Sequence, residues 1–190
     1  GQELFQELNI AKEKYSMAVG NALEYLENIE EGSFDTVLCL GMLYYTTEPY
    51  RLLKLMLRAA KETVILDTFT AAYAAIQGKE APQVYESVNE ETLKLPILLT
   101  ALTQPEKKDY TLPHSFDYRS KDLSLITLPS AELLEIWFQS LNAQFKKMDW
   151  STYGTRPCTY HDLLTPDQKK SSHWADVYTS GIRVSYLLHK

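Results

Sequence analysis

Few side chains of this 190-residue sequence stand in patterns that support chemistry. No G-x-S-x-G motif is present, and His161 and His173 lie twelve residues apart in a polar stretch, which favours surface positions over metal ligation. Cys39 lies inside an apolar run and is typical of a small core residue rather than a nucleophile. Asp67 ends a second apolar run, where it could serve as a pocket carboxylate or as a helix cap. The sequence therefore holds no recognisable arrangement of nucleophile, base and acid.

The lack of such an arrangement favours a reaction that needs little acid–base or nucleophilic chemistry from side chains. Methyl transfer is such a reaction, because its sulfonium cofactor is already activated and the protein mainly aligns donor and acceptor. We therefore consider an enzyme of this kind. The alternative, from a different class, is a non-catalytic module that acts by protein association.

The stretch from Phe34 to Tyr45 is the one most typical of a ligand site. It is apolar from Val37 to Leu40, breaks at Gly41 and ends on two tyrosines. A short apolar run followed by a turn and a helix predicts a buried parallel strand. Open parallel sheets bind ligands at the carboxyl ends of their strands, and the end of this strand is therefore the expected site.

The elements around this strand predict an α/β fold. A helix over Tyr50–Lys61 and a strand over Thr63–Thr68 would complete a right-handed parallel crossover. Later, a helix over Ala131–Asn142, with Ser130 as its N-cap, precedes two more strands. These strands, Phe145–Trp150 and Ile182–His189, suggest an antiparallel hairpin that closes the sheet.

The remaining segments are less regular. Before the first strand we expect a helix over Gln2–Tyr15, a short strand over Met17–Gly20 and a helix over Leu23–Ile29. Residues 69–127 are interrupted by prolines and resemble an insertion on the substrate side, with a helix over Glu90–Thr103 and an aromatic segment that includes Tyr118. We interpret the whole chain as a single domain.

The composition limits the kinds of partner that the chain can bind. The net charge of −6 gives no general attraction to nucleic acid, so an RNA substrate would need a local basic patch. The helix over Tyr50–Lys61 carries such a stripe, which could touch phosphates, but we favour its interpretation as a solvated face; the stripe consists of Arg51, Lys54, Arg58 and Lys61. No apolar run approaches the ~18 residues that span a membrane, and no signal peptide is visible. We expect a cytoplasmic protein without a membrane partner.

The stretch from Phe34 to Tyr45, its helix and the run Val64–Thr68 resemble the fourth and fifth strands of class I S-adenosylmethionine-dependent methyltransferases. Gly20-Asn21-Ala22 is similar to the end of their third strand, where Gly-Asp-Ala is frequent. The wider pattern is closest to the tRNA wobble-uridine 5-oxyacetic acid (carboxymethyl) methyltransferases. The first element of this pattern is the spacing from Phe34 through Gly41 and Tyr44 to Pro49. The second is the start of a helix at Pro129-Ser130-Ala131, with Leu134 and Trp137 inside the helix, and the third is a closing strand with Arg183.

The resemblance implies a cofactor and site residues. The cofactor would be S-adenosylmethionine or carboxy-S-adenosylmethionine, and the substrate a tRNA or a small molecule. The cofactor-binding residues would be Asn21, Ala22, Leu40, Gly41 and Tyr44. The substrate-binding residues would be Tyr45, Arg183 and Tyr118. In that family, the residues that match Tyr44 and Arg183 help to hold the extra carboxylate of the cofactor. The alternative for Arg183 is a surface arginine on an edge strand. Tyr45 stands where the family has histidine.

The resemblance also implies a missing part. The glycine-rich loop of the superfamily and the acid of its second strand have no counterpart in this sequence. We therefore expect a Rossmann-like methyltransferase sheet that is truncated at its N-terminus, so that residues 1–190 form one partial domain. Such a sheet would expose the edge of the strand beginning near Phe34, which predicts a homodimer through that edge.

Overall fold

The structure, a computed structural model, describes residues 2–73, 90–103, 116–118, 121–153 and 175–190. Its longer helices are α1 (Gln2–Glu7), α2 (Ala22–Asn28), α3 (Pro49–Ala59) and α4 (Ala131–Ser140). Its strands are β1 (Phe34–Leu40), β2 (Ala60–Phe69), β3 (Leu98–Thr103), β4 (Phe116–Tyr118), β5 (Lys121–Pro129), β6 (Gln144–Lys147) and β7 (Arg183–His189). Single helical turns span Lys12–Lys14, Leu43–Tyr45, Glu90–Leu93, Ser151–Tyr153 and Asp176–Thr179.

The predicted parallel crossover is present. β1 and β2 run parallel and pair Cys39 with Leu66 and Leu40 with Asp67. Helix α3 connects them and begins at Pro49, a favourable first residue because the first N–H of a helix has no intrahelical partner. Its apolar face joins the main core with the buried side chains of both strands; this core includes Leu52, Leu53, Met56, Val64 and Leu66. The carboxyl ends of β1 and β2 therefore meet at one edge of the sheet.

The predicted closing hairpin is also present. The main sheet has the order β1-β2-β7-β6, and β7 runs antiparallel to both of its neighbours. Alternate residues of β7 are buried against α4, where Tyr186 packs edge-on against Phe138 with ring centroids 5.0 Å apart. The Tyr186 hydroxyl donates to Glu135 Oε1 at 2.8 Å, which satisfies its polar end inside the core. The fold is mixed α/β, as predicted.

Residues 69–127 contribute a second sheet that the sequence did not indicate. Its three strands are antiparallel in the order β3-β5-β4. The helix expected over Glu90–Thr103 is wrong beyond Leu93, because Pro96 cannot continue a helix and Leu98–Thr103 pairs with β5 instead. Ser130 links the two parts, since its Oγ accepts from the N–H of Leu133 as an N-cap and donates to the carbonyl of Leu95.

The first twenty residues differ most from expectation. The helix expected over Gln2–Tyr15 ends at Glu7, because Asn9 adopts a left-handed conformation (φ 53°) that terminates it. Met17–Gly20 forms no strand, since no described strand lies beside it, and the Val19 side chain is fully exposed. Helix α2 forms as expected, one residue earlier at both ends.

β1 lies at an edge of the main sheet. Among the described strands it pairs with β2 alone. Leu38 and Leu40 point to the face that α3 does not cover, with 61% and 56% of their surface exposed. In the part of the chain that the structure describes, no helix is long and apolar enough to cross a membrane.

Cys39 should be unreactive in the folded protein. Burial raises the pKa of its thiol to about 11, so roughly one thiol in a thousand is ionised at pH 8. In a Cys158→Ser variant, which retains Cys39 alone, a disulfide reagent should react slowly at pH 8 and faster by about tenfold per pH unit up to pH 11. The same variant in urea is the control, and equally fast reaction in both conditions would contradict a buried thiol.

Candidate functional site

Gly41 begins the candidate site, directly after β1. Its backbone is left-handed (φ 70°), and its N–H donates to the backbone carbonyl of Asp67 at 2.8 Å. A Cβ at this position would lie 3.2 Å from Arg183 Nη2 and 3.4 Å from Tyr44 Oη. Glycine is therefore favoured twice, by its conformation and by the close approach of two polar side chains. Arg183 is remote from Gly41 and Tyr44 in the sequence, and the fold brings the three residues together.

Tyr44 is held in the helical turn Leu43–Tyr45 that follows the strand. Its ring packs against Tyr45 and Phe69, with centroid distances of 4.4 Å and 5.1 Å. Burial raises the pKa of the Tyr44 phenol, and the neighbouring Tyr45 raises it further. The hydroxyl therefore stays protonated at physiological pH and can donate a hydrogen bond to an anion.

Asp67 fixes the position of Arg183. The two residues form an ion pair in which Arg183 Nε and Nη2 both contact Asp67 Oδ1, and the Ser185 hydroxyl donates to Oδ2 at 2.6 Å. The guanidinium also lies 4.8 Å from the centre of the Phe69 ring. Asp67 is thus a partly buried ion-pair partner rather than a helix cap. Arg183 is not a surface arginine on an edge strand, because β7 lies between β2 and β6.

An aromatic wall adjoins these polar groups. Phe69 stacks on Tyr73 with ring centroids 4.1 Å apart and planes 16° apart. Tyr44 and Tyr45 pack against Ile126 and Leu128 of β5, so the second sheet covers this side of the main sheet. The expected substrate-side role of residues 69–127 stays a prediction, and the larger part of residues 74–122 lies outside the described residues.

The predicted site residues fall into three groups. Gly41, Tyr44 and Arg183 converge, and Tyr45 and Leu40 adjoin them at the end of β1. Asn21 caps α2, where its Oδ1 accepts from the N–H of Leu23 at 2.9 Å, and Ala22 begins the helix; their role at the cofactor stays a prediction. Tyr118 lies in β4 opposite Lys121, and its side chain is outside the described residues.

Sequence reasoning missed the roles of Phe69 and Ser185. In the antiparallel pairing of β2 with β7, Asp67 lies opposite Ser185 and Phe69 opposite Arg183. Alternation along each strand puts all four side chains on one face, the one that the main core does not fill. The signal was present in both strands, but reading it required knowing that β2 and β7 are neighbours.

The basic residues expected as a stripe on the helix over Tyr50–Lys61 are largely engaged within the protein, and Lys61 lies in β2 because α3 ends at Ala59. Arg51 pairs with Glu27 and Glu48, and Lys61 pairs with Asp35. Arg58 donates to three carbonyl groups at the end of α2, from Leu26, Glu27 and Ile29, and so stabilises that helix end. These contacts favour the interpretation as a solvated or structural face. Lys107, Lys108, Arg119, His161 and His173 lie outside the described residues.

The arrangement suits binding better than acid–base chemistry. A guanidinium and a neutral phenol can hold an anionic group beside an aromatic wall. Among the described residues no group of three His, Cys, Asp or Glu side chains could hold a metal ion. The buried thiol of Cys39, with its raised pKa, is not an activated nucleophile.

No protein-family model and no curated protein matches the chain. Among solved structures, it is similar to the YcgJ protein from Bacillus subtilis, with a TM-score of 0.50 and 13% identity over 100% of this chain and 76% of that one. It is also similar to a SAM dependent methyltransferase from Archaeoglobus fulgidus, with a TM-score of 0.45 and 11% identity over 100% of this chain and 80% of that one. The second overlap is too loose to support an inference. The first supports a shared α/β fold.

Replacing Gly41 should cost more stability than replacing a glycine with the same backbone and no neighbours. Gly181 supplies that control, because its φ is 78° and, among the described residues, no atom outside its chain neighbours would lie within 4 Å of an added Cβ. Both Gly→Ala variants should lose about 1–2 kcal/mol from backbone strain. Gly41→Ala should lose more in urea unfolding, because Arg183 and Tyr44 must move. Equal losses would contradict the close packing around Gly41.

Proposed function

We propose that this chain binds S-adenosylmethionine, or its carboxylated form, and takes part in transferring the methyl or carboxymethyl group. The observation that carries the proposal is the convergence of Gly41, Tyr44 and Arg183 at the carboxyl ends of two parallel strands. Open α/β sheets bind ligands at that edge. The resemblance of the Phe34–Tyr45 stretch to class I methyltransferases supports the same cofactor.

The residues at this edge fit a cofactor that carries an additional carboxylate. Asp67 engages Nε and Nη2 of Arg183, and among the described residues no hydrogen bond or ion pair involves Nη1. That nitrogen can donate to a ligand carboxylate while Asp67 keeps the guanidinium in place. The protonated Tyr44 hydroxyl supplies a second donor near the same point, 3.4 Å from where a Cβ of Gly41 would lie.

The cofactor, when bound, supplies an activated one-carbon group. The residues of this chain would contribute alignment and exclusion of water rather than proton transfer. Leu40 and Gly41 would contact the cofactor through the strand end, whereas Arg183 and Tyr44 would orient its charged group. The aromatic side chains of Tyr45, Phe69 and Tyr73 would keep water from the reacting centre.

Calorimetry with the two cofactor forms tests this proposal. Carboxy-S-adenosylmethionine should bind at least about tenfold more tightly than S-adenosylmethionine, because one charge-assisted hydrogen bond contributes ~1.5–3 kcal/mol. Tyr44→Phe, which keeps the ring, and Arg183→Lys, which keeps the charge beside Asp67, should each reduce that preference. The affinity for S-adenosylmethionine itself should change little.

Two outcomes would count against the proposal. Absence of saturable binding of either form by the folded chain would remove the transferase function. Equal binding of both forms, unaffected by Tyr44→Phe, would remove the carboxymethyl version and leave methyl transfer. Ile136→Ala is a control substitution, because its half-exposed side chain lies on α4, away from the candidate site.

A second candidate function, association of two copies, is favoured by the exposed edge of β1. After Asp35 the strand has neither charge nor proline, the features that normally protect an edge. If two copies pair antiparallel about Val37, Phe34 faces Leu40 of the partner and Thr36 faces Leu38. These are apolar or neutral cross-strand pairs, so the strand is complementary to itself.

Sedimentation velocity tests this association. The chain should form a dimer whose dissociation is concentration-dependent, and Leu38→Lys should shift it to monomer by placing a charge in the pairing face. Ile136→Lys introduces the same charge at another exposed apolar position and should leave the dimer intact. A monomer at every concentration would exclude association through β1, whatever the calorimetric result.

A further inference from the structure

A cavity lies beside the candidate site, on the other side of Arg183. Its volume is about 350 Å³, within the range of roughly 300–1,000 Å³ that is usual for small-molecule sites. It lies between the segment that follows β6 and the helical turn that precedes β7. Its described lining includes Trp150, Tyr178, Arg183 and Ser185.

Two aromatic rings form its most distinctive wall. The centroids of Trp150 and Tyr178 are 5.2 Å apart, with 37° between the ring planes. Trp150 Nε1 donates to Ser185 Oγ at 3.2 Å, and Ser185 in turn donates to Asp67 at 2.6 Å. This chain of hydrogen bonds ties the polar edge of the indole to the sheet. The ring therefore contributes an apolar, oriented surface to the cavity.

Arg183 is the boundary between this cavity and the candidate cofactor site. It lines the cavity, and its Nη2 also approaches Gly41 at the end of β1. A ligand in the cavity would thus lie next to the group that Gly41, Tyr44 and Arg183 are proposed to hold. This adjacency is what a transferase needs between donor and acceptor.

The charges around the cavity favour a neutral ligand. Among the described lining residues, Lys147 and Asp149 contribute one charge of each sign, and Asp67 balances the charge of Arg183. The N–H of Ser151 donates to Asp149, which holds the pKa of that carboxyl below its usual value and keeps it ionised. Arg51 and Lys61 are paired with carboxylates as well, so these two cations are not available to a polyanion such as RNA.

We propose that this cavity binds a small, neutral, planar aromatic ring that carries a hydroxyl or amino group. Its assignment as the acceptor site rests on the proposed transferase function, whereas ring binding does not. In the transfer, the acceptor oxygen or nitrogen forms the new bond to carbon, the carbon–sulfur bond breaks to leave a thioether, and the proton of the acceptor is released to bulk solvent with the product.

Phenol and cyclohexanol are matched probes, because they share size and hydroxyl group and differ in the planar ring. The chain has three tryptophans, so 5-fluorotryptophan labelling gives three resonances, and that of Trp150 is identified by Trp150→Phe. Phenol should shift the Trp150 resonance saturably, with a dissociation constant about tenfold lower than that of cyclohexanol. The resonance of Trp137, which packs on Tyr50 at α3, should not move.

Substitutions at Trp150 separate ring stacking from folding. Trp150→Phe keeps an aromatic wall and should retain phenol binding by calorimetry, whereas Trp150→Leu should weaken it by about fivefold or more with unchanged circular dichroism. The proposal is overturned if both alcohols bind equally, if the Trp137 resonance shifts alike, or if Trp150→Leu binds phenol normally. It is also overturned if an anticodon stem-loop RNA shifts the Trp150 resonance and phenol does not.

The two proposals fail separately. Phenol binding is measured without cofactor, and cofactor binding is measured without phenol. If the chain binds phenol at Trp150 but neither cofactor form, the assignment of the cavity stands and the transferase function is excluded. If it binds cofactor but not phenol, the transferase function stands and a phenolic acceptor is excluded.

Discussion

The ion pair between Asp67 and Arg183 is the interaction on which the candidate site depends. It joins the carboxyl end of β2 to the beginning of β7, at the point where a parallel strand meets an antiparallel one. The same carboxylate accepts from Ser185, so its charge is shared between the guanidinium and a hydroxyl group. A buried charge that loses its partner destabilises a protein strongly, and neither residue can be altered without consequences for the other.

This pairing also divides the molecule into two faces. On one face of the sheet, Val64, Leu66 and Tyr186 pack with α3 and α4 in a dry core. On the other, the same strands present Asp67, Arg183 and Ser185, and their neighbours are aromatic rings and a cavity. The core face supplies the free energy of folding through apolar burial, which allows the opposite face to keep polar groups in a partly buried position.

The sequence predicted the parts whose patterns are local. The run ending at Gly41, the helix beginning near Pro49 and the N-cap at Ser130 each follow from neighbouring residues, and all are present. The resemblance to methyltransferases also drew attention to Tyr44 and Arg183, which the fold brings close to the same glycine.

What the sequence could not predict depends on pairing between distant segments. Leu98–Thr103 has residues that suit a helix, and only its partner β5 makes it a strand. Asn21 caps the N-terminus of α2, a role that was not predicted, and its expected contact with the cofactor stays a prediction. The partnership of Asp67 with Ser185 requires the register of β2 against β7, which no local pattern contains.

The direction of β7 has a consequence for how this site can change. Because β7 runs opposite to β1 and β2, it presents its first residues, rather than its last, at the edge where those strands end. The turn leading into it, from Tyr178 to Ser180, can therefore vary in composition, while Ile182 is buried, Thr70 donates to the carbonyls of Gly181 and Ile182, and the register from Val184 onward holds the sheet. Substitutions in this turn, by evolution or by library design, can thus change the ligand preference of the site with little effect on the stability of the fold.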